Sequence, residues 1–416
     1  MLQLQSALGI LVFIGLCFLF SEKRSQIQWK MVTLGVIFQI LLGVVLIKLP
    51  FIADILLYLN QGVLMLEKAT LDGTQFMFGY LAGGSAPFEI TQPAATYIVA
   101  FRVLPIVLVM SAITSVLFHW GVLQKIVLLM SKVLEQTLKI SGVQGLSVAS
   151  NIFLGMIESP LFVKGYLSSM SRSSLFVLMT AGMATVAGTV MVLYASILNP
   201  IIENAIGHIL IASLISAPAA VMISHIIIPP EHEDMMNEAH IDLEVKTHST
   251  FEALVQGVMD GIQLLLAIAA MIIVLFSLVS LVNQFLALLP VVSGRAITIE
   301  YLVGFIFYPL TWLMGIASSE VSVASELMAV KTILNEFVSY QKLATLDPAL
   351  LSERSKMILM YAMCGFANLA SLGLIVATLG TLVPQRRGEV LSLSFKCILS
   401  GTFATMMTGC VIGLIY

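Results

Sequence analysis

The sequence predicts an all-α polytopic membrane protein built as an inverted repeat, with two re-entrant hairpins and two broken transmembrane helices. The first observation behind this is compositional. Of 416 residues, 59% are hydrophobic and only 10% charged, where a soluble domain carries about 25% charged residues. Repeated apolar runs of roughly 20 residues must close their backbone hydrogen bonds internally in lipid, which makes the spans helices. The second is a pair of lone carboxylates in apolar surroundings: Glu158 in Asn151-Ile-Phe-Leu-Gly-Met-Ile-Glu-Ser-Pro160 and Glu336 in Lys331-Thr-Ile-Leu-Asn-Glu-Phe337. The third is an echo between the halves, Gly182-Met-Ala-Thr-Val-Ala-Gly188 against Gly365-Phe-Ala-Asn-Leu-Ala-Ser371, each following one carboxylate segment. Paired, interrupted hydrophobic segments of this kind point to a secondary transporter, because a broken helix frees backbone carbonyls and amides at mid-membrane. Helix packing through small residues would explain one such motif. Two in register, each behind a carboxylate tip, point to a site.

In chain order, residues 1–96 form an N-terminal scaffold. A first span over 2–20 has no basic segment before it and no small-residue cleavage site after it, so it reads as a retained helix rather than a signal peptide. Lys23, Arg24 and Lys30 put the following loop on the cytoplasmic side and the N-terminus outside. A second span covers 31–49, and 51–92 suits an interfacial amphipathic helix and an external loop. The first repeat, 97–228, opens with a span at 97–120 in which Arg102 is placed to snorkel. Residues 124–140, with Lys125, Lys132, Glu135 and Lys139 at helical spacing, read as a second interfacial helix. The hairpin of 141–172 consists of two segments too short to span, separated by Gly155 and Pro160. The broken helix 174–198 and a span at 206–228 complete the repeat.

The loop 229–250 is the most polar stretch. It carries Glu231, Glu233, Asp234, Glu238, Asp242 and Glu244 against Lys246, with His232, His240 and His248 spaced too widely for a metal site. It reads as a solvated cytoplasmic linker. The second repeat, 251–416, holds a long apolar run at 253–289, a short apolar segment at 301–314, and the hairpin 318–345. After it come the broken helix 356–382, a short positive loop at Gln385-Arg-Arg387, and a last span at 390–416. The result is eight spans and two hairpins, with both ends outside. Cys17, Cys364, Cys397 and Cys410 lie in or beside apolar segments with no CxxC spacing and read as packing residues. A net charge of −3 without a basic tract gives no argument for nucleic acid, and none is expected as a partner.

The carboxylates carry the functional argument. An ionisable side chain at mid-helix costs about 2.5–3.5 kcal/mol on the lenient insertion scale, so Glu158 and Glu336 are expected to face a polar cavity or a partner. An ion pair of Glu336 with Lys331, and a place for Glu158 near the membrane interface, remain the structural alternatives. Glu326 is a weaker candidate, and Glu320, after Ser318-Ser319, is placed to cap a helix start.

Ala100-Phe-Arg-Val-Leu-Pro105, Gly155-Met-Ile-Glu-Ser-Pro160, Ala184-Thr-Val-Ala-Gly188, Lys331-Thr-Ile-Leu-Asn-Glu-Phe-Val-Ser-Tyr340 and Cys364-Gly-Phe-Ala-Asn-Leu-Ala-Ser371 together resemble the concentrative nucleoside transporters, in the eight-span bacterial form. The resemblance runs from about residue 97 to the C-terminus. It implies nucleoside import by symport with Na+ or H+, no organic cofactor, and a lipid-embedded homotrimer in a bacterial inner membrane. It also implies that Met156, Ile157, Glu158 and Val190 meet the nucleobase. Glu336, Asn368 and Ser371 would meet the ribose, with Phe366 lining the pocket. For the coupling ion it implies Asn151, Thr185 and the backbone carbonyls of Leu154 and Val186, hard neutral oxygens suited to sodium. One departure bears on substrate: the family usually reads Gly-Gln-[Ser/Thr/Asn]-Glu at the first tip, and this chain reads Gly155-Met156-Ile157-Glu158. Each lost hydrogen bond to the base is worth about 0.5–1.5 kcal/mol net. Gly315-Ile-Ala-Ser-Ser-Glu320 also departs from the family, where a Pro-Trp pair is common. Three further readings stand beside it: another nucleoside-like or sugar-bearing solute, a passive channel, and a membrane-embedded enzyme using Glu158 and Glu336 as an acid–base pair. The last finds no HExxH or GxSxG motif and no His or Asp cluster within a span.

Overall fold

The computed structural model describes residues 1–92, 96–230, 247–290 and 296–416. Of the linker predicted at 229–250, residues 231–246, with its acidic residues and His232 and His240, lie outside the described residues. The chain is all-helical. It begins with α1 (Leu2–Leu19), α2 (Trp29–Lys48) and α3 (Pro50–Phe78), then α4 (Val99–Arg102), α5 (Ile106–His119) and α6 (Val122–Leu138). Helix–break–helix units follow: α7 (Gly142–Leu154) with the single turn α8 (Ser159–Phe162), then α9 (Arg172–Ala184) with α10 (Gly188–Leu198), and the unbroken α11 (Ala205–Ile227). The second half runs α12 (Thr250–Leu286), α13 (Ile299–Leu313), α14 (Val321–Ile333), α15 (Glu336–Thr345), α16 (Glu353–Met363), α17 (Leu369–Leu382) and α18 (Arg387–Ile415).

Seven helical stretches among the described residues are long and apolar enough to cross a membrane, the pair α9–α10 counting as one. The pair α16–α17, separated by Cys364–Asn368, lies outside that set. Side-chain caps set many of the helix starts by accepting a backbone N–H that no intrahelical carbonyl can reach. Ser171, Ser249, Thr298 and Ser352 do this for α9, α12, α13 and α16. Glu320 precedes α14 without a side-chain cap and instead accepts from Ser352 Oγ at 3.0 Å. Its carboxylate therefore joins the starts of α14 and α16. Arg102 is partly buried, its guanidinium 5.0 Å from the centre of the Tyr97 ring.

Burial divides the molecule. The core window of α9–α10 is 94% buried and that of α12 only 6%. α9, α11 and α18 pack together as the centre, while α12 packs chiefly along α5. Gly257 and Gly261 make that pairing close. A Cβ at Gly257 would lie 2.6 Å from Ser111 O and 2.7 Å from Ala112 Cα. α5 and α12 therefore form a dovetailed pair at the edge of a bulky body, the close small-residue packing that membrane helices use.

On the side where Lys23 and Arg24 lie, one residue ties together α9, α11 and α18. Glu22 accepts from Arg172 Nη2 at 2.9 Å and Arg172 Nε at 3.2 Å, and from Lys396 Nζ at 2.6 Å. Its own N–H donates to Ile227 O at 2.8 Å. The Arg172 guanidinium, and with it the Lys396 ammonium, holds the Glu22 carboxyl down to about 2 against the opposing effect of partial burial. A carboxyl lowered on folding stabilises above its unfolded value and loses that contribution as pH falls towards its folded one. The melting temperature of purified protein is therefore expected to be lowered by Glu22→Gln at pH 7 and lowered less at pH 3, part-way down to the folded-state value. The difference should be about 1 kcal/mol or less, as for a partly exposed pair. An equal loss at both pH values would exclude the ionic role.

Candidate functional site

The first half of the site is built by the end of α7. Ser141 caps its start, and Gln144 Nε2 ties it to Ser174 Oγ of α9 at 2.9 Å. The helix stops at Gly155, whose φ of +85° and ψ of 177° lie where side-chain-bearing residues are strained. Met156, Ile157 and Glu158 then form a tip that is closed behind by Ser159, whose Oγ lies 2.7 Å from Ser150 Oγ and donates to Ser147 O at 3.2 Å.

The second half is built by α14 and α15. Asn335 caps α15 by accepting from Val338 N at 3.0 Å, which places Glu336 at the first helical position. Its carboxylate is buried, and each oxygen accepts one hydrogen bond. Tyr194 O–H donates to Oε1 at 2.5 Å, and Asn368 Nδ2 donates to Oε2 at 2.8 Å. Asn368 also caps α17, its Oδ1 accepting from Ser371 N at 2.8 Å. One side chain thus starts a helix and orients the carboxylate. The predicted alternative, an ion pair between Glu336 and Lys331, does not form. Lys331 Nζ is buried and has no hydrogen-bond partner among the described residues.

A cavity of about 100 Å³ lies between these halves. Its wall includes Met156, Ile157, Glu158 and Val190 from the first repeat and Glu336, Phe366 and Ser371 from the second. Asn368 sits behind the wall, reaching the cavity only through Glu336. Most of the exposed lining is apolar, so the carboxylates are the charged features of the chamber. Glu158 also faces an adjoining cavity of about 430 Å³ bordered by Ser111, Lys164, Gln256 and Asp260.

The four residues expected around the ion are close to one another but do not all face the cavity. Thr185 Oγ1 donates to Ala181 O at 2.9 Å and approaches Asn151 O at 3.2 Å. Asn151 Nδ2 donates to Ser147 O at 2.8 Å, leaving its buried Oδ1 without a partner among the described residues. Val186 N donates to Ser213 Oγ at 3.3 Å, and Leu154 lines the cavity. A buried amide oxygen without a donor, next to a hydroxyl and a helix end, fits a small hard cation. Among the described residues there is no cluster of three His, Cys, Asp or Glu side chains that could hold a transition metal.

Two contributors were not visible in the sequence. Tyr194 looks like an ordinary aromatic in an apolar run, and Leu264, Ala267, Ile268 and Met271 belong to a helix that reads as a plain span.

Three family models match the chain in order. They are the N-terminal part of the Na+-dependent nucleoside transporters over residues 8–81, a nucleoside-recognition gate over 100–201, and the C-terminal part of the same transporters over 208–413. The chain is 31% identical to the nucleoside permease NupC of Helicobacter pylori, over 99% of this chain and 97% of that one. The chain belongs to the sodium-dependent nucleoside transporter family. It is a cation-coupled nucleoside importer of the polytopic membrane class and not an enzyme. An uncharacterised transporter of Haemophilus influenzae is 32% identical over 99% of this chain and 97% of its own. The sodium/nucleoside cotransporter 1 of Rattus norvegicus is 30% identical over the whole chain and 64% of its own length. Among solved structures, the transporter is similar to CNTnw in an inward-facing substrate-bound state, with a TM-score of 0.89 at 30% identity over 99% of this chain and 98% of that one. It is equally similar to a CNTnw variant in an outward-facing state, with a TM-score of 0.91 at 28% identity over 100% and 98%.

Proposed function

We propose that this transporter carries nucleosides with sodium by alternating exposure of the cavity between its two tips, as a homotrimer in a bacterial inner membrane. The observation that carries the reading is the Glu336 carboxylate, held from behind by Tyr194 and Asn368 at the cavity wall. An ionised carboxylate accepts several hydrogen bonds. With two positions taken from behind, others remain for the paired hydroxyls of a ribose, and a site built for hydroxyls rejects solutes lacking them. Ser371 and Phe366 complete the ribose side, with Asn368 steadying Glu336 from behind, and Met156, Ile157, Glu158 and Val190 form the base side.

Sodium would sit with Asn151, Thr185 and the carbonyls of Leu154 and Val186. The unpartnered Asn151 Oδ1 supports this. Asn151→Ala is expected to raise the half-saturating sodium concentration for uptake about tenfold, the loss of one ion ligand worth about 1.4 kcal/mol. An unchanged sodium dependence would remove Asn151 from the ion site. The trimer reading rests on α12, a 37-residue apolar helix left almost wholly uncovered within one chain. In the moving step, the α5–α12 pair would stand still while the body carrying both tips shifts along it. The apolar Met156 and Ile157 favour, as a second reading within the same architecture, a solute with a less polar base.

The deciding experiment is uptake of labelled uridine, adenosine and guanosine into proteoliposomes under imposed sodium or proton gradients. Accumulation driven by sodium supports the reading. Accumulation driven only by protons would replace the ion, and uncoupled equilibration would make the protein a passive channel.

A further inference from the structure

Lys331 has no role in the site as described, yet it is a fully buried cation without a hydrogen-bond acceptor among the described residues. Its place becomes intelligible when the two hairpins are put in register by a bond they share. In the first, Ser159 Oγ donates to Ser147 O, twelve residues back. In the second, Ser339 Oγ donates to Leu327 O, again twelve residues back. The shift that carries Ser147 and Ser159 onto Leu327 and Ser339 carries Asn151 onto Lys331. Both residues lie in the last turn of the first hairpin helix, α7 or α14, and each helix packs on the first half of the following broken helix, α9 or α16. The electrostatic neighbours of Lys331 are Glu336 and Cys364, the latter at the start of the second break. The two positions also share an unpaired buried polar atom, Asn151 Oδ1 and Lys331 Nζ.

The physical requirement at both places is the same. Asn151 and Lys331 are both buried in the last turn of a helix, where the unsatisfied carbonyls carry partial negative charge, and such a place favours a cation. In the first repeat the side chain supplied is a neutral amide, which leaves the positive charge to come from solution. In the second it is an ammonium on a four-carbon stem.

We propose that the Lys331 ammonium is a tethered cation occupying in the second repeat the place that the coupling ion takes in the first. The transporter then needs one free sodium per nucleoside, because its second symmetry-related site is filled by the chain itself. The inference rests on the placement of sodium at Asn151 put forward above. Lys331 is a positioning residue, and its charge also offsets that of Glu336 while the tip moves.

Equilibrium binding of labelled sodium to the purified full-length protein tests this without reference to any solute. One sodium per protomer is expected for the wild type, and two for Lys331→Asn, which installs the first repeat's residue in the second. Uptake by Lys331→Asn should become steeper in sodium, changing from a hyperbolic to a sigmoidal dependence, while Lys331→Met should lose uptake with no recovery at high sodium. Two sodium ions bound by the wild type would overturn the proposal, as would a single ion in a folded Lys331→Asn protein. If neither variant folds, the sodium bound per wild-type protomer still decides, a second ion overturning the proposal. Failure of the nucleoside reading would show separately, as wild-type protein that binds sodium but accumulates none of the three nucleosides.

Discussion

Replacing Glu336 by Gln is expected to abolish nucleoside uptake while leaving the protein folded. A Gln side chain is nearly the same shape and can turn its amide oxygen to Asn368 Nδ2 and its NH₂ to the Tyr194 hydroxyl oxygen, so both supporting contacts survive in weaker form. What the amide lacks is charge and the acceptor positions left facing the cavity. A hydrogen bond to a charged group contributes about 1.5–3 kcal/mol. Losing two such bonds to ribose hydroxyls would therefore weaken binding at least about a hundredfold. Labelled uridine uptake into proteoliposomes measures the effect, and size-exclusion profiles in detergent check assembly. Uptake within twofold of wild type would remove Glu336 from the ribose.

The second large effect is expected at Gly155. A side chain there meets two obstacles. Its backbone, at φ +85°, is a conformation that costs a residue with a Cβ about 1–3 kcal/mol. The Cβ itself would stand 2.5 Å from the Ala187 Cβ, at the first helix break. The tip and the break must then move apart, which displaces Met156–Glu158 relative to Val190 and loosens the region of Asn151 and Thr185 together. Gly155→Ala should lower both the melting temperature and uptake, the latter about tenfold or more. Adding Ala187→Gly should return part of the loss, since it removes the collision and leaves the backbone strain. A Gly155→Ala protein with unaltered melting and uptake would show that the tip does not depend on this close approach.

Glu158 and Glu336 were legible in the sequence because an ionisable group in an apolar run needs a reason, and both line the cavity wall. The helix interruptions were legible for a related reason. Gly155, Pro160 and the Gly-Ala motifs weaken helix in segments that are otherwise apolar throughout, and α9–α10 and α16–α17 break at Thr185–Ala187 and Cys364–Asn368. What stayed hidden depends on contacts between distant segments. Tyr194 is one aromatic among apolar neighbours until Glu336, 142 residues away, is laid against it. The cap that Glu320 was expected to form is replaced by a bond from Ser352, because the start of α16 lies beside the start of α14. The Lys331–Glu336 pair looked natural at five residues' spacing, but a helix end falls between them. Asn335 turns Glu336 into a new helix whose carboxylate points to α10 and α17.

Asn368 holds two structural tasks on one side chain, starting α17 and steadying Glu336, whereas the Met156 side chain has no hydrogen bond among the described residues. Redesign of solute choice should therefore be lopsided. A library randomised at Met156 and Ile157 would return mostly folded proteins with altered preference among bases, while one randomised at Asn368 would return mostly failures of folding, whatever the new side chain offers a different sugar.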